Sequence, residues 1–203
     1  MWTGIGSEKF TGLHLAIAGN VIDLGAKANV TEADVRDDIR QALTEPLIGE
    51  QDAFCRAVAK ARRILYLADN AGEIAFDRLL IEQLSPARVT VAVRGKAVIN
   101  DATMADARAV GLHDIVDIID NGSDAPSTLL DDCSQEFRQR FAAADLILAK
   151  GQGNFEALSD EPYNLFFLFK AKCFVVADHL GVPVGAHVLA RSGAKTAGKG
   201  VAS

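Results

Sequence analysis

Between Arg62 and Leu84 a short apolar run, Ile64-Leu65-Tyr66-Leu67-Ala68, gives way to the polar turn Asp69-Asn70-Ala71-Gly72-Glu73. The chain then resumes as a pattern that puts Phe76, Leu79, Leu80 and Leu84 on one face. An unbroken apolar run reads as a strand covered on both sides, and a period of about 3.6 residues reads as a helix. A doubly covered strand followed by a crossover helix commits a chain to a mostly parallel sheet with helices on both faces. The alternation continues downstream, with strands expected over 63–68, 88–94, 115–119, 145–149 and 173–177 and helices over 73–84, 103–110, 133–142 and 162–171. Parallel strands joined this way are connected right-handedly. Residues 62–190 are therefore expected to form a Rossmann-like three-layer α/β/α core with about five strands.

The first 61 residues lack that rhythm. Phe10, Leu13, Ile17, Val21 and Leu24 predict a helix over 8–29, and Thr31-Glu32-Ala33-Asp34 resembles a capping box opening a second. Pro46 and Gly49 punctuate, and Gln51 to Lys60 reads as a third helix. Residues 1–61 are expected to be a helical segment packed on the core. Residues 191–203 are rich in Gly, Ala, Ser and Lys without an apolar period and read as a loose tail. A formal net charge of −6 argues against nucleic acid or an anionic membrane as partner, since both need a basic surface. Cys55, Cys133 and Cys173 are far apart and show no zinc spacing, so neither a disulfide framework nor a zinc site is expected. With no membrane-length apolar run and no leader pattern, the expected location is the cytoplasm. Homo-oligomerisation is left open.

The chemistry-bearing residues gather after strands. Asp69 to Glu73 follows the first, and Arg94-Gly95-Lys96 with Asn100-Asp101-Ala102-Thr103 follows the second. Asp120-Asn121-Gly122-Ser123-Asp124 follows the third, and Lys150-Gly151-Gln152-Gly153-Asn154 the fourth. In a parallel sheet these loops share one edge. Asp and Asn oxygens without His or Cys suit a hard divalent ion such as magnesium or manganese, with cobalt or nickel as further choices. Lys150 and glycine-rich backbone beside such an ion suit an anion, which is the equipment of phosphoryl chemistry. Each segment alone also has an ordinary reading: a turn at Asp69-Asn70-Ala71-Gly72, a dipole partner in Glu73, a helix cap at Asp101 and Thr103, a plain loop at Asp120. Four in series at strand ends are what point to a site. His14, His113, His179 and His187 share no spacing and read as surface or packing residues, while Phe166, Phe167 and Phe169 read as the core face of an apolar helix.

Together with Ala18-Gly19-Asn20-Val21-Ile22-Asp23, Phe76-Asp77 and the extension of the last loop to Phe155-Glu156, these segments resemble the DUF89 family, the damage-control phosphatases related to ARMT1-like proteins. The resemblance covers roughly residues 10 to 190. It implies metal-dependent phosphatases that remove phosphate from harmful or surplus phosphometabolites, often sugar phosphates. It also implies Asp69, Asn70 and Asp101 as metal ligands and Lys150 as the phosphate contact. Asn20, Asp23, Gly72, Glu73, Asp120 and Asn154 would line the site. Members usually carry a longer N-terminal helical region, whereas 17 residues precede Ala18 here, so a short member is expected.

The expected activity is hydrolysis of a small phosphomonoester. The attacking group is read as a water positioned by Glu73 or Asp120, with an aspartyl-phosphate route through Asp69 left open. The rival readings are, first, a non-catalytic metal- and phosphate-binding module or a truncated inactive family member and, second, a Rossmann-like methyltransferase. The second lacks a GxGxxG-type loop after the first strand.

Overall fold

A computed structural model describes residues 7–18, 36–37, 40 and 43–193. Seven strands form one sheet in the order β1-β7-β6-β5-β2-β3-β4. They are β1 (Leu47–Gly49), β2 (Ile64–Leu67), β3 (Val89–Val93), β4 (Asp117–Asp120), β5 (Leu146–Lys150), β6 (Leu165–Lys170) and β7 (His187–Arg191). Pairing is parallel from β4 across to β6, and β7 then runs antiparallel to β6. The helices are α1 (Ser7–Ala18), α2 (Gln51–Lys60), α3 (Ile74–Gln83), α4 (Met104–Ala109), α5 (Gln135–Ala143), α6 (Gln152–Leu158) and α7 (Phe174–Leu180).

Strand geometry divides the core in two, because successive side chains point to opposite faces. Ile64, Tyr66, Val89, Val91, Leu146, Leu148, Phe166 and Leu168 pack on one face with Leu13 and Ile17 of α1, Phe54 and Val58 of α2, and Leu80 and Ile81 of α3. Leu65, Leu67, Ile147, Ala149, Phe167 and Phe169 pack on the other with Phe137 and Phe141 of α5, Phe155 of α6 and Val176 of α7. The three-layer α/β/α architecture is the one expected, with seven strands where about five were counted.

The differences fall where periodicity carries little information. Residues 162–171, read as a helix, contain β6: Leu165, Phe166, Phe167, Leu168 and Phe169 are all buried, so no polar position marks the period. Residues 173–177, read as a strand, open α7 instead. Phe174 and Val175 are 73% and 72% exposed, so that apolar run is not core, and Gly181 closes the helix at φ 66°. The sheet also takes β1 from within residues 1–61 and β7 from just ahead of the expected tail. Gly49 can lie against β7 because it has no side chain: a Cβ there would sit 2.1 Å from the Leu189 carbonyl oxygen. The expected capping box at Thr31 and the tail beyond Gly193 lie outside the described residues.

The Phe54 ring meets the Phe166 ring edge-on at 5.5 Å, with both side chains fully buried. Phe54→Ala should lower the unfolding free energy by about 3–5 kcal/mol, read as a shifted denaturant midpoint at unchanged slope.

Candidate metal and phosphate site

The turn after β2 and the long loop after β3 close on each other. Ala68 N–H donates to Ala92 O at 3.0 Å, Ala102 N–H to Asp69 O at 2.6 Å and Ala71 N–H to Asn100 O at 2.8 Å. Asn70 and Asp101 form an isolated antiparallel bridge, and Arg94 bridges Thr103. Asp69, Asn70 and Asp101 are thereby brought side by side from two crossovers. Gly151, at φ 84° after β5, completes the approach: a Cβ on it would lie 2.0 Å from Asp69 Oδ2. The β4 loop is held in by Asn121, whose Oδ1 accepts from Gly95 N at 2.9 Å and Ser123 N at 3.0 Å.

Beneath these oxygens lies a buried ionic network. Lys150 Nζ donates to Glu73 Oε2 and Asp77 Oδ1, each at 2.8 Å, and all three residues are at most 1% exposed. Tyr66 OH donates to the same Asp77 oxygen at 2.8 Å. Burial disfavours the Lys150 charge, but Asp77 and Glu73 more than restore it and hold its pKa above the ordinary range. Burial also pushes the Asp77 carboxyl up, so its charge depends on Lys150 and the Tyr66 hydroxyl. Asn70 Nδ2 donates to Glu73 Oε1 at 2.5 Å and to Asp69 Oδ2 at 3.2 Å. Arg94, 3% exposed, pairs through Nε with Asp101 Oδ2 at 2.5 Å and donates to Thr128 Oγ1 at 3.0 Å and Asn154 Oδ1 at 3.5 Å. Desolvation, then Glu73 and Asp101, raise the Asp69 carboxyl from 3.8 to about 7, against smaller opposing effects of Lys150 and Arg94.

Of the residues anticipated from sequence, Asp69, Asn70, Glu73, Asp101, Lys150 and Asn154 join this one network. Gly72 sits in the exposed turn ahead of Glu73. Asp120 is exposed at the end of β4, where its Oδ1 accepts from Gly122 N at 2.9 Å. Asn20 and Asp23 lie outside the described residues. Lys150 has two of its three donors committed to carboxylates, so its first role is internal. Sequence reasoning gave no role to Arg94, Asp77, Tyr66, Asn121 or Thr128. One signal was readable: Asp77 shares a helix face with Ile74, Leu80 and Ile81, where a charge is costly unless paired.

Fold and network together define a Rossmann-like α/β/α protein with an anionic site at the carboxyl edge of its sheet. The model of the damage-control phosphatase ARMT1-like domain matches residues 7–188, and the chain belongs to this family. It is 40% identical over 185 residues to damage-control phosphatase PH1575 of Pyrococcus horikoshii, covering 89% of this chain and 64% of that protein. A damage-control phosphatase of Archaeoglobus fulgidus is 37% identical over 180 residues, covering 86% and 62%. An uncharacterized protein of Methanocaldococcus jannaschii, MJ0202, is 40% identical over 184 residues, covering 85% and 59%. The crystal structure of the Pyrococcus horikoshii protein, described as a DUF89 family protein, superposes with a TM-score of 0.84 at 38% identity, covering 91% of this chain and 66% of that one. The chain thus spans about three fifths of the length of the curated relatives it matches.

The donor set fits a hard cation. Among the described residues no three His, Cys, Asp or Glu side chains form a metal cage; the set here is two carboxylates and an amide. Four buried or half-buried carboxylates, Asp69, Glu73, Asp77 and Asp101, face two cations, Lys150 and Arg94, a deficit that a divalent ion removes. Lys150→Met should cost about 3–5 kcal/mol by stranding Glu73 and Asp77, measured by denaturant unfolding. A raised carboxyl pKa means that the folded state holds its proton more tightly than the unfolded chain. That stability is complete below pH 3.8 and lost as pH rises toward about 7. In chelator, Asp69→Asn should therefore melt higher than the unsubstituted protein at pH 8, and the advantage should disappear near pH 4.

Proposed function

We propose that this chain is a metal-dependent phosphomonoesterase of the damage-control type, acting on small phosphorylated metabolites such as sugar phosphates. The observation that carries the reading is the convergence of Asp69, Asn70 and Asp101, from two separate crossovers, above a buried lysine network. The names of the Pyrococcus and Archaeoglobus relatives support it. Asp69, Asn70 and Asp101 hold the ion, with the Asn70 amide offering Oδ1 because its Nδ2 is committed to Glu73 and Asp69. A bound divalent ion supplies Lewis-acid polarisation of a phosphoryl oxygen. The oxygen ligands favour magnesium or manganese, with cobalt or nickel also accommodated.

Within the protein, Lys150 anchors Glu73, Glu73 orients Asn70, and Arg94 orients Asp101. Both Glu73 oxygens are engaged, so Glu73 orients Asn70 and Lys150 and does not itself face an attacking water. Gly151 N–H is taken by Leu168 O at 3.0 Å, and Gly153 lies in the first turn of α6, where backbone N–H groups suit phosphate oxygens.

Release of inorganic phosphate from generic and sugar phosphates should stop with chelator and return on adding magnesium, manganese, cobalt or nickel. Turnover that ignores chelator would refute the metal role. Asp69→Ala and Asp101→Ala should each cut kcat/KM by at least about a thousandfold at unchanged far-ultraviolet circular dichroism. Binding must displace the Asp69 proton, so calorimetric metal affinity should rise up to about tenfold per pH unit below pH 7 and flatten above it. Metal-dependent stabilisation by phosphorylated ligands without phosphate release would instead identify a binding module.

A further inference from the structure

The same edge of the sheet carries a second group of titratable side chains, one strand beyond Lys150. Leu146 and Leu148 of β5 face the first core cluster and Lys150 continues their side; Phe166 and Leu168 of β6 do likewise, and Lys170 continues theirs. In β7, Leu189 faces that cluster and His187 shares its side. Lys170 and His187 stand opposite each other in the antiparallel pair. His14 of α1 lies close enough to bear electrostatically on His187, as do Lys170 and Glu45.

Among the described residues, Lys170, His187 and His14 lack the partners their burial calls for. His187 is 1% exposed, with Nε2 2.9 Å from Glu45 Oε2. Among the described residues its Nδ1 has no hydrogen-bond partner, and neither does buried Nδ1 of His14. Lys170 is half-buried, its Cε 3.9 Å from where a Cβ on Gly185 would lie, and among the described residues it has no hydrogen-bond or ion-pair partner. The carboxylate in the group, Glu45, lies 2.9 Å from His187 Nε2 without a hydrogen bond between them. A lysine stem ordered against a sheet and imidazole nitrogens buried unpaired both cost stability unless something meets them. Lys170, which is only half-buried, shares the edge that holds Asp69, Asn70 and Asp101, so what meets it can be the far end of the same bound molecule.

We propose that Lys170, backed by His187 and His14, forms a subsite for a second anionic group of the substrate. This inference rests on the phosphatase reading above and narrows its substrates to phosphomonoesters that carry a further phosphate or carboxylate. β6 lies two strand spacings from β2, roughly 10 Å, a span that a six-carbon chain bridges. The Lys170 side chain then meets the second anion while the first lies over the carboxylate cluster.

The test compares three probes on the full chain with magnesium or manganese: a hexose bisphosphate, a phosphogluconate and a hexose monophosphate. The unsubstituted protein should prefer one or both doubly anionic probes in kcat/KM by about ten- to a hundredfold. Preference for the bisphosphate alone assigns a second phosphate, and preference for the phosphogluconate alone assigns a carboxylate. Lys170→Gln should collapse the preference ratio toward one, and Lys170→Arg should retain most of it. No preference in the unsubstituted protein, or an unchanged ratio in Lys170→Gln, overturns the proposal. Calorimetric binding of the same probes to the unsubstituted protein decides the matter if Lys170→Gln does not fold, since equal affinities for all three also overturn it. Preferential binding without turnover of any probe sinks the phosphatase reading and leaves the subsite standing; turnover without preference does the reverse.

Discussion

The whole carboxyl edge depends on a lysine that never meets water. Lys150 is the last residue of a fully buried strand, and its ammonium group lies between Glu73 and Asp77. Taking an ammonium ion out of solvent is tolerable only when opposite charge stands against it. The two carboxylates are equally buried and have the same requirement. Each member offsets the burial of the others. The network is strung across three elements: the Tyr66 strand, the α3 helix and the end of β5. It is anchored on the backbone side by Asn154, whose Nδ2 donates to the Lys150 carbonyl at 2.8 Å.

On that foundation the loops converge because glycine lets them. Gly95 lies so close to Gly122 that a Cβ would fall 2.6 Å from its backbone, and Gly151 leaves room for the Asp69 carboxylate. Arg94 reaches from the β3 loop to Asp101, Thr128 and Asn154 and fixes three segments relative to one another. The result follows the usual division of labour in α/β proteins: a rigid sheet sets the spacing and short polar loops carry the chemistry.

Much of this was legible in the residues, for definable reasons. β2, β3 and β5 are unbroken apolar runs ending in polar turns, and parallel order alone then puts their loops on one edge. The four loops could be grouped on that ground, and the choice of Asp69, Asn70 and Asp101 within them is what the family resemblance implies. The fate of Lys150 could not be read, because a charge at a strand end looks the same whether it faces solvent or a buried carboxylate. Asp120 stood out as the charged residue of its loop, yet it is the neighbouring Asn121, 2% exposed, that ties the loop inward. The Phe-rich strand β6 was read as a helix because five consecutive buried side chains leave no polar beat to count. β1, at three residues, is too short to generate any pattern. The contacts of Lys170 with β7 depend on a chain reversal that no local rule announces.

The two margins of the sheet have a consequence of their own. One ends in a three-residue strand and the other in β4, whose first and last residues are Asp117 and Asp120. A strand that brief offers too few open amide and carbonyl groups to recruit a neighbour, and negative charge at both ends of β4 repels an identical edge brought alongside. Among the described residues, the long apolar interior strands that make the core are thereby kept from pairing laterally with other molecules through these two edges.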